Sequence, residues 1–231
     1  MLQIHKSMHP MNEFAPTWNL PLWFDKYENK DELGIMRKWI LDNEKSIINE
    51  HKNKSKDDGG TGLGKDSLTA QYNSFNLFKV TEGVTAFKNM FSWLQESYKN
   101  FMNEHKTQPR KCIMFCWANV IRKGQPITIH NHGAKHFSYL SGNFHLEDYA
   151  TQTVYHNPVN PRMVYETKNV AGGLTLFPSY IFHQADEHKD DSERVSMAFD
   201  EIVVHFWFSC DNSILDTDGR SHATVPSVYK I

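Results

Sequence analysis

The sequence predicts an α+β fold that is mainly β, with a sandwich or barrel in the C-terminal half and a helical annex in the N-terminal half. After Pro109 the chain breaks into short runs rich in β-branched and aromatic residues, divided by Gly, Pro and Asn. Before it lie two stretches whose apolar residues recur at helical spacing. The 231 residues suffice for one well-filled core, so the chain reads as a single domain, 1–231. Its parts are an extended lead-in with two supporting helices (1–108), a β core (109–208) and a C-terminal tail (209–231).

The lead-in, residues 1–28, is rich in Pro and Trp (Pro16, Trp18, Pro21, Trp23) and is expected to pack through its aromatics. A first helix is predicted over 31–49, where Leu33, Met36, Ile40, Ile47 and Ile48 recur at helical spacing behind Asp31 and Glu32. Residues 51–66 join a charge run to several glycines and read as an exposed loop. A second helix is predicted over 83–105 from Val84, Phe87, Phe91, Leu94, Tyr98 and Phe101, a stripe of the kind that packs a helix on a sheet. Strands are expected near 112–121, 126–132, 137–146, 151–156, 162–167, 173–177, 180–184 and 194–208.

Composition narrows the function. A net charge of −2 with 23% charged residues gives no field to draw the chain onto nucleic acid or an anionic membrane. Thirteen per cent aromatic residues is more than a disordered chain carries. No signal-like segment or membrane-length apolar run is visible, so a cytoplasmic setting is expected. Of the three cysteines, Cys112 and Cys116 share a predicted strand at a spacing of roughly 13 Å, beyond disulfide reach. With Cys210 they read as free thiols in a reducing compartment.

The loop Gly59-x-x-x-x-Gly64-Lys65-Asp66 comes close to a phosphate-binding loop, but Asp66 stands where a hydroxyl must meet magnesium, and no buried strand precedes it. It reads as surface loop.

Ile129-His130-Asn131-His132 is the first candidate for chemistry. Two histidines at i and i+2 on a strand share a face and can grip one metal ion. Thirteen histidines in this length supply nearly one such pair by chance, so the spacing alone says little. The setting adds weight: the pair ends an alternating strand, and a distant His183 sits among Phe177, Tyr180 and Phe182, which would dry a site. His136 and His145 lie close enough in sequence to compete. Arg194 and Ser196 are again i and i+2, so a guanidinium and a hydroxyl would project together, an arrangement suited to a carboxylate. The plain alternative is a surface ion pair of Arg194 with Glu193 or Asp191.

At these residues the chain resembles the iron(II)- and 2-oxoglutarate-dependent oxygenases, and more closely a subfamily of bacteria and tailed phages. The matching pieces are Trp117-Ala118-Asn119-Val120-Ile121 with Gly124, His130-x-His132, Ser141-Gly142, Gly173-Leu174-Thr175-Leu176-Phe177-Pro178-Ser179 leading to His183, and Arg194-x-Ser196-x-Ala198-Phe199. They span about 112–200, less than half of the chain. The resemblance implies a double-stranded β-helix (jelly roll) with iron at its open end, and the helical layer is expected to pack on one sheet. It implies iron(II) held by His130 and His183, and 2-oxoglutarate held by Arg194 with Ser196. Oxygen and 2-oxoglutarate would yield succinate and carbon dioxide while a substrate C–H bond is attacked. If the chain is phage-encoded, its place is the host cytoplasm.

The chain departs from the wider superfamily at His132, where an Asp or Glu is usual. Either His132 is the third ligand, which we favour, or Glu147, Asp148 or Asp186 reaches the metal. His145 also stands where an aromatic is more usual. The expected function is an iron(II)/2-oxoglutarate-dependent dioxygenase hydroxylating a small-molecule or peptide substrate. The alternatives are a three-histidine cupin-type dioxygenase that needs no 2-oxoglutarate and a non-catalytic jelly-roll binding protein. Phe137, Tyr139, Tyr155 and Trp207 are candidate pocket walls, though buried core is the commoner role for such residues.

Overall fold

The computed structural model describes residues 1–52, 58–72, 74–133, 138–203 and 229–230. Phe137, Trp207, Cys210, His136, the far end of the last predicted strand and nearly all of the C-terminal tail lie outside them.

Two antiparallel sheets share eight strands from the β half. In chain order these are β3 (Cys112–Ile121), β4 (Ile127–His130), β5 (Leu140–His145), β6 (Gln152–His156), β7 (Val164–Lys168), β8 (Gly173–Pro178), β9 (His183–Ala185) and β10 (Arg194–Val203). The large sheet runs β8-β5-β10-β3 and the small one β4-β9-β6-β7. Successive strands mostly switch sheets, so neighbours in space are distant in sequence, which is jelly-roll topology. Two strands precede these, β1 (Leu2–Lys6) and β2 (Asn19–Lys26), and a short β11 (Tyr229–Lys230) pairs with β3.

The lead-in is therefore more than extended chain. β1 and β2 form a hairpin, and β2 joins the large sheet along β8 through Trp23↔Leu176 and Phe24↔Thr175. Trp23 is buried and its indole N–H donates to Ser97 Oγ at 2.8 Å, a partner that lets this ring sit inside.

Helix α1 spans Lys30–Glu50, with the Asn29 side chain accepting from Glu32 N at its start. Its buried face is Leu33, Met36, Ile40 and Ile47, each three, four or seven residues from the last. A short α2 (Leu77–Val80) precedes α3, Thr85–Glu104, which buries Phe87, Met90, Leu94, Tyr98 and Phe101. These faces join Met114, Cys116, Phe144, Leu176, Met197 and Phe199 of the large sheet in one hydrophobic cluster. A second cluster holds Leu20, Leu22, Tyr155, Phe177 and Ile181. Glu44 of α1 takes two bonds from the Arg122 guanidinium, at 3.1 and 2.6 Å, tying the helix to the end of β3.

Cys112 and Cys116 are buried free thiols, and burial pushes both up, Cys112 to about 12. Tyr139 donates toward Met102 and meets Tyr98 OH at 3.0 Å, while Tyr155 is fully buried with Asn143 donating to its hydroxyl. Both are core residues and neither lines the cavity described next, so their candidacy as pocket walls is not met.

Candidate active site

Strand β10 alternates strictly. Val195, Met197 and Phe199 point into the main core, while Arg194, Ser196, Ala198 and Asp200 line a cavity of about 500 Å³ between the two sheets. Trp117 and Asn119 of β3 and Asn143 and His145 of β5 share that wall, and His130, Thr153 and His183 face them from the small sheet. Gly142 is held to its size by its neighbours, since a Cβ there would stand 2.3 Å from the Phe199 ring.

His130, His132 and His183 converge, with one nitrogen of each ring within 4.8 Å of the others. His130 and His183 are register partners across the β4–β9 pair. His132 is not on a strand: β4 ends at His130, and His132 lies in the bend beyond it. The shared strand face expected for the pair is thus corrected. The chain turns after β4, and the backbone N–H of His132 donates to Ser179 O at 3.0 Å, which brings its ring back to the cavity.

Each ring has its Nδ1 against an acceptor that cannot donate. His130 Nδ1 donates to Thr128 O at 2.8 Å, His183 Nδ1 to Ile181 O at 3.1 Å, and His132 Nδ1 to Asp200 Oδ1 at 2.5 Å. These partners fix the proton on Nδ1 and leave the Nε2 lone pair as the free one in all three rings. Burial, then the neighbouring His132, pushes His130 down to about 4. Burial, then His130 and His132, holds His183 well below the usual imidazole range. Neutral imidazoles are the state a metal requires.

The rival carboxylates are engaged elsewhere. Glu147 lies 2.9 Å from Arg37 Nε, Asp148 accepts from Ala171 N at 2.9 Å, and Asp186 accepts from Gln152 N at 3.1 Å. None joins the three-histidine group among the described residues. His145 lines the cavity but stands outside that group too.

At the other end of the cavity Arg194 is 1% exposed. Its Nη1 donates to Thr151 Oγ1 at 2.9 Å and, longer, to Asp186 O at 3.4 Å. No carboxylate lies within ion-pairing distance among the described residues, and its buried Nε has no partner. The surface ion pair with Glu193 or Asp191 is therefore absent: Glu193 faces Arg37 and Asp191 faces Lys123. Burial lowers the guanidinium to about 10. Asp186 offsets that burial only from a distance, and a buried cation with no carboxylate in ion-pairing range among the described residues is costly, so this end of the cavity could take an anion. Ser196 Oγ accepts from Asn119 Nδ2 at 3.4 Å, and Asn119 in turn accepts from Thr69. His145, directly across from Ser196 in the β5–β10 register, adds a second buried unpaired nitrogen, Nδ1. Burial, then Arg194, pushes His145 down to about 3.

Sequence reasoning missed Asp200 and the glycine loop. Asp200 was findable by carrying the two-residue step of Arg194-x-Ser196 two steps further. The loop lines the cavity with Asp58, Gly59, Gly60 and Thr61, so its reading as exposed surface is corrected. Thr61 is buried, and Asp58 staples the loop by accepting from Gly60 N and Gly64 N.

Residues 115–200, the segment from within β3 through most of β10, match the family model described as "Putative 2OG-Fe(II) oxygenase". Over this segment the chain is similar to that oxygenase family. Among solved structures, a prolyl-4-hydroxylase of Pseudomonas putida shares the fold at a TM-score of 0.50 and 11% identity, over 80% of this chain and 93% of that one. An α-ketoglutarate-dependent epimerase, SnoN of nogalamycin biosynthesis, aligns at a TM-score of 0.50 and 10% identity, over 79% of this chain and 76% of that one. No curated protein matches the chain in sequence. Iron(II) and 2-oxoglutarate are the cofactor and co-substrate of this oxygenase class, and the donor set suits both: three imidazoles at one point and an uncompensated guanidinium across the same cavity. No described helix is long and apolar enough to cross a membrane.

Proposed function

We propose that the chain hydroxylates a small-molecule or peptide substrate, with His130, His132 and His183 holding iron(II) through Nε2 and Arg194 with Ser196 holding the distal carboxylate of 2-oxoglutarate. When bound, iron(II) and 2-oxoglutarate supply oxygen activation coupled to decarboxylation, giving succinate and carbon dioxide. The observation that carries this reading is the pairing, in one cavity, of a three-imidazole cluster with a buried guanidinium that has no carboxylate in ion-pairing range among the described residues.

The protein's own residues contribute position and dryness. The acceptors on Nδ1 keep three lone pairs aimed at one point. From the core behind the cavity, Phe177, its ring 4.7 Å from that of His183, and Tyr155, at 6.0 Å, back the His183 ring and keep water from that side of it. Thr151 fixes Arg194 from behind, leaving its remaining N–H groups for a carboxylate. His145 Nδ1 stands beside them as a further partner for the same carboxylate. The free guanidinium also separates this reading from a three-histidine dioxygenase that needs no 2-oxoglutarate, since such an enzyme has no use for it. A soluble cytoplasmic setting accords with it.

The test is anaerobic loading with iron(II), addition of 2-oxoglutarate and oxygen, and measurement of succinate. Turnover is expected even without substrate, at a low uncoupled rate. Absence of both turnover and 2-oxoglutarate binding would overturn the reading, and oxygen uptake independent of 2-oxoglutarate would point to the cupin-type chemistry.

A further inference from the structure

We infer that Asp200 is a positioning residue for the metal: it fixes His132 through the Nδ1–H bond and returns, one hydrogen bond away, the negative charge that a three-histidine set lacks. The inference rests on the three-histidine reading above.

Of the three rings, His130 and His183 sit on paired strands directly opposite one another, so the β4–β9 ladder sets their backbones. Their Nδ1 partners are backbone carbonyls, which are neutral. His132 has neither advantage, because it lies past the end of β4 in a bend. What holds it is a side-chain frame. Its Nδ1–H meets Asp200 Oδ1 at 2.5 Å, shorter than the 2.8 and 3.1 Å of the other two rings and in keeping with a charged acceptor.

The carboxylate is itself held. Ser141, the register partner of Asp200 on β5, donates to the same Oδ1 at 2.6 Å. Ser141 Oγ also lies in hydrogen-bond contact with Ser179 Oγ at 2.8 Å, and Ser179 O accepts the His132 backbone N–H at 3.0 Å. The bonds close a ring in which both the imidazole and the main chain of His132 are tied to β5, β10 and Ser179, the residue that follows β8. A carboxylate so placed sets the tautomer and raises the basicity of a ligating imidazole, the usual role of the groups behind metal-bound histidines. Three neutral rings bring no anion to a divalent ion; Asp200 supplies one behind His132.

Two substitutions separate orientation from charge. Asp200→Asn keeps an oxygen that can accept from Nδ1–H but loses the charge, and Asp200→Ala loses both. Cobalt(II) is titrated into the metal-free full-length protein, following the visible ligand-field bands and the heat of binding, with far-UV circular dichroism and thermal unfolding as controls. Asn should weaken cobalt binding roughly 10-fold, and Ala by 10- to about 100-fold, each with displaced bands. For the iron-loaded protein the Asn variant should show a more positive Fe(III)/Fe(II) potential. Wild-type affinity and spectra in both variants would overturn the inference and leave the three-histidine reading standing. Failure of the wild-type protein to bind cobalt at all would overturn both. Should the Asp200 variants not fold, Ser141→Ala loosens the carboxylate while retaining it; a several-fold weakening with shifted bands supports the inference, and no change overturns it.

Discussion

Thr128 binds the glycine loop to the strand that carries His130: its backbone N–H donates to Thr61 O at 2.9 Å and its hydroxyl to Gly60 O at 2.5 Å. The same residue's carbonyl accepts from His130 Nδ1, so one exposed threonine links the cavity wall to a candidate ligand. Gly62 makes the contact possible. Its φ is +77°, and a Cβ there would stand 2.8 Å from Thr128 Cγ2. Gly62→Ala should cost about 1–2 kcal/mol from backbone strain alone and push the loop off β4. Hydrogen–deuterium exchange should then quicken at 58–64 and at the Thr128 amide; unchanged protection there would show that the loop is not held by this contact.

Arg194 offers a prediction with two opposite signs. Without ligand the guanidinium is buried and has no carboxylate in ion-pairing range among the described residues, so Arg194→Met should leave thermal stability of the ligand-free protein unchanged or raised. With 2-oxoglutarate the order should reverse, because the wild-type protein gains a charge pair whose truncation costs about 2–5 kcal/mol. The melting temperature of the wild type should climb with 2-oxoglutarate, that of the variant should not, and metal binding should persist in both. Loss of metal in the variant would contradict the placement of Arg194 at the far end of the cavity.

The β strands were legible because period-two alternation is local: the face bearing Arg194 and Ser196 shows in three residues of sequence. The helices were legible for the same reason, at period 3.6. What could not be read is what depends on distance along the chain. Gly60 meets Thr128 across 68 residues, and no local pattern announces that a polar, glycine-rich loop will fold onto a strand edge. The pairing of β2 with β8 is equally remote, and Pro16 and Pro21 disguised the hairpin as an extended lead-in. His132 was read onto the strand because alternation was carried two residues too far. The cluster survives that error because a long-range bond, His132 N to Ser179 O, supplies the placement that the strand does not.

The histidine cluster should make the metal-free protein acid-sensitive. Burial holds His130 down to about 4 in the folded state and His183 well below the usual imidazole range, whereas unfolded histidines take up protons near 6.5. Between those values the unfolded chain binds more protons, so stability is present above about pH 6.5 and is lost as pH falls toward 4. A melting series from pH 7 to 4.5 should show this decline. Adding cobalt(II) should raise the melting temperature at pH 7 and have a fading effect as pH falls, because the ion needs neutral rings. His183→Asn should lose both the metal-dependent rise and part of the acid slope; a metal-dependent rise that survives this change would remove His183 from the ligand set.

Glu201 should act in the opposite sense, in a window of its own. The side chain is 2% exposed in β10, Oε2 has no partner among the described residues, and burial, then Asp200, raises the carboxyl from 4.5 to about 8. In the folded protein it therefore keeps a proton that the unfolded chain releases above about pH 4.5. The folded state binds more protons across that interval, so this residue's contribution is fully present below pH 4.5 and is lost as pH rises toward 8. Below pH 6.5 the histidines slope the other way and mask it. From 6.5 to 8 the unfolded histidines are still losing protons, but a variant at position 201 carries the same histidines, so the difference between its curve and the wild type's isolates Glu201, worth at most about 2 kcal/mol over that interval. Glu201→Gln retains the shape of the protonated carboxyl and has no proton to lose. From pH 6.5 to 8 the wild-type melting temperature should fall relative to that of the variant, so that the variant gains on the wild type as pH rises. Parallel curves would mean that the carboxyl finds a partner or water in solution and titrates in its ordinary range.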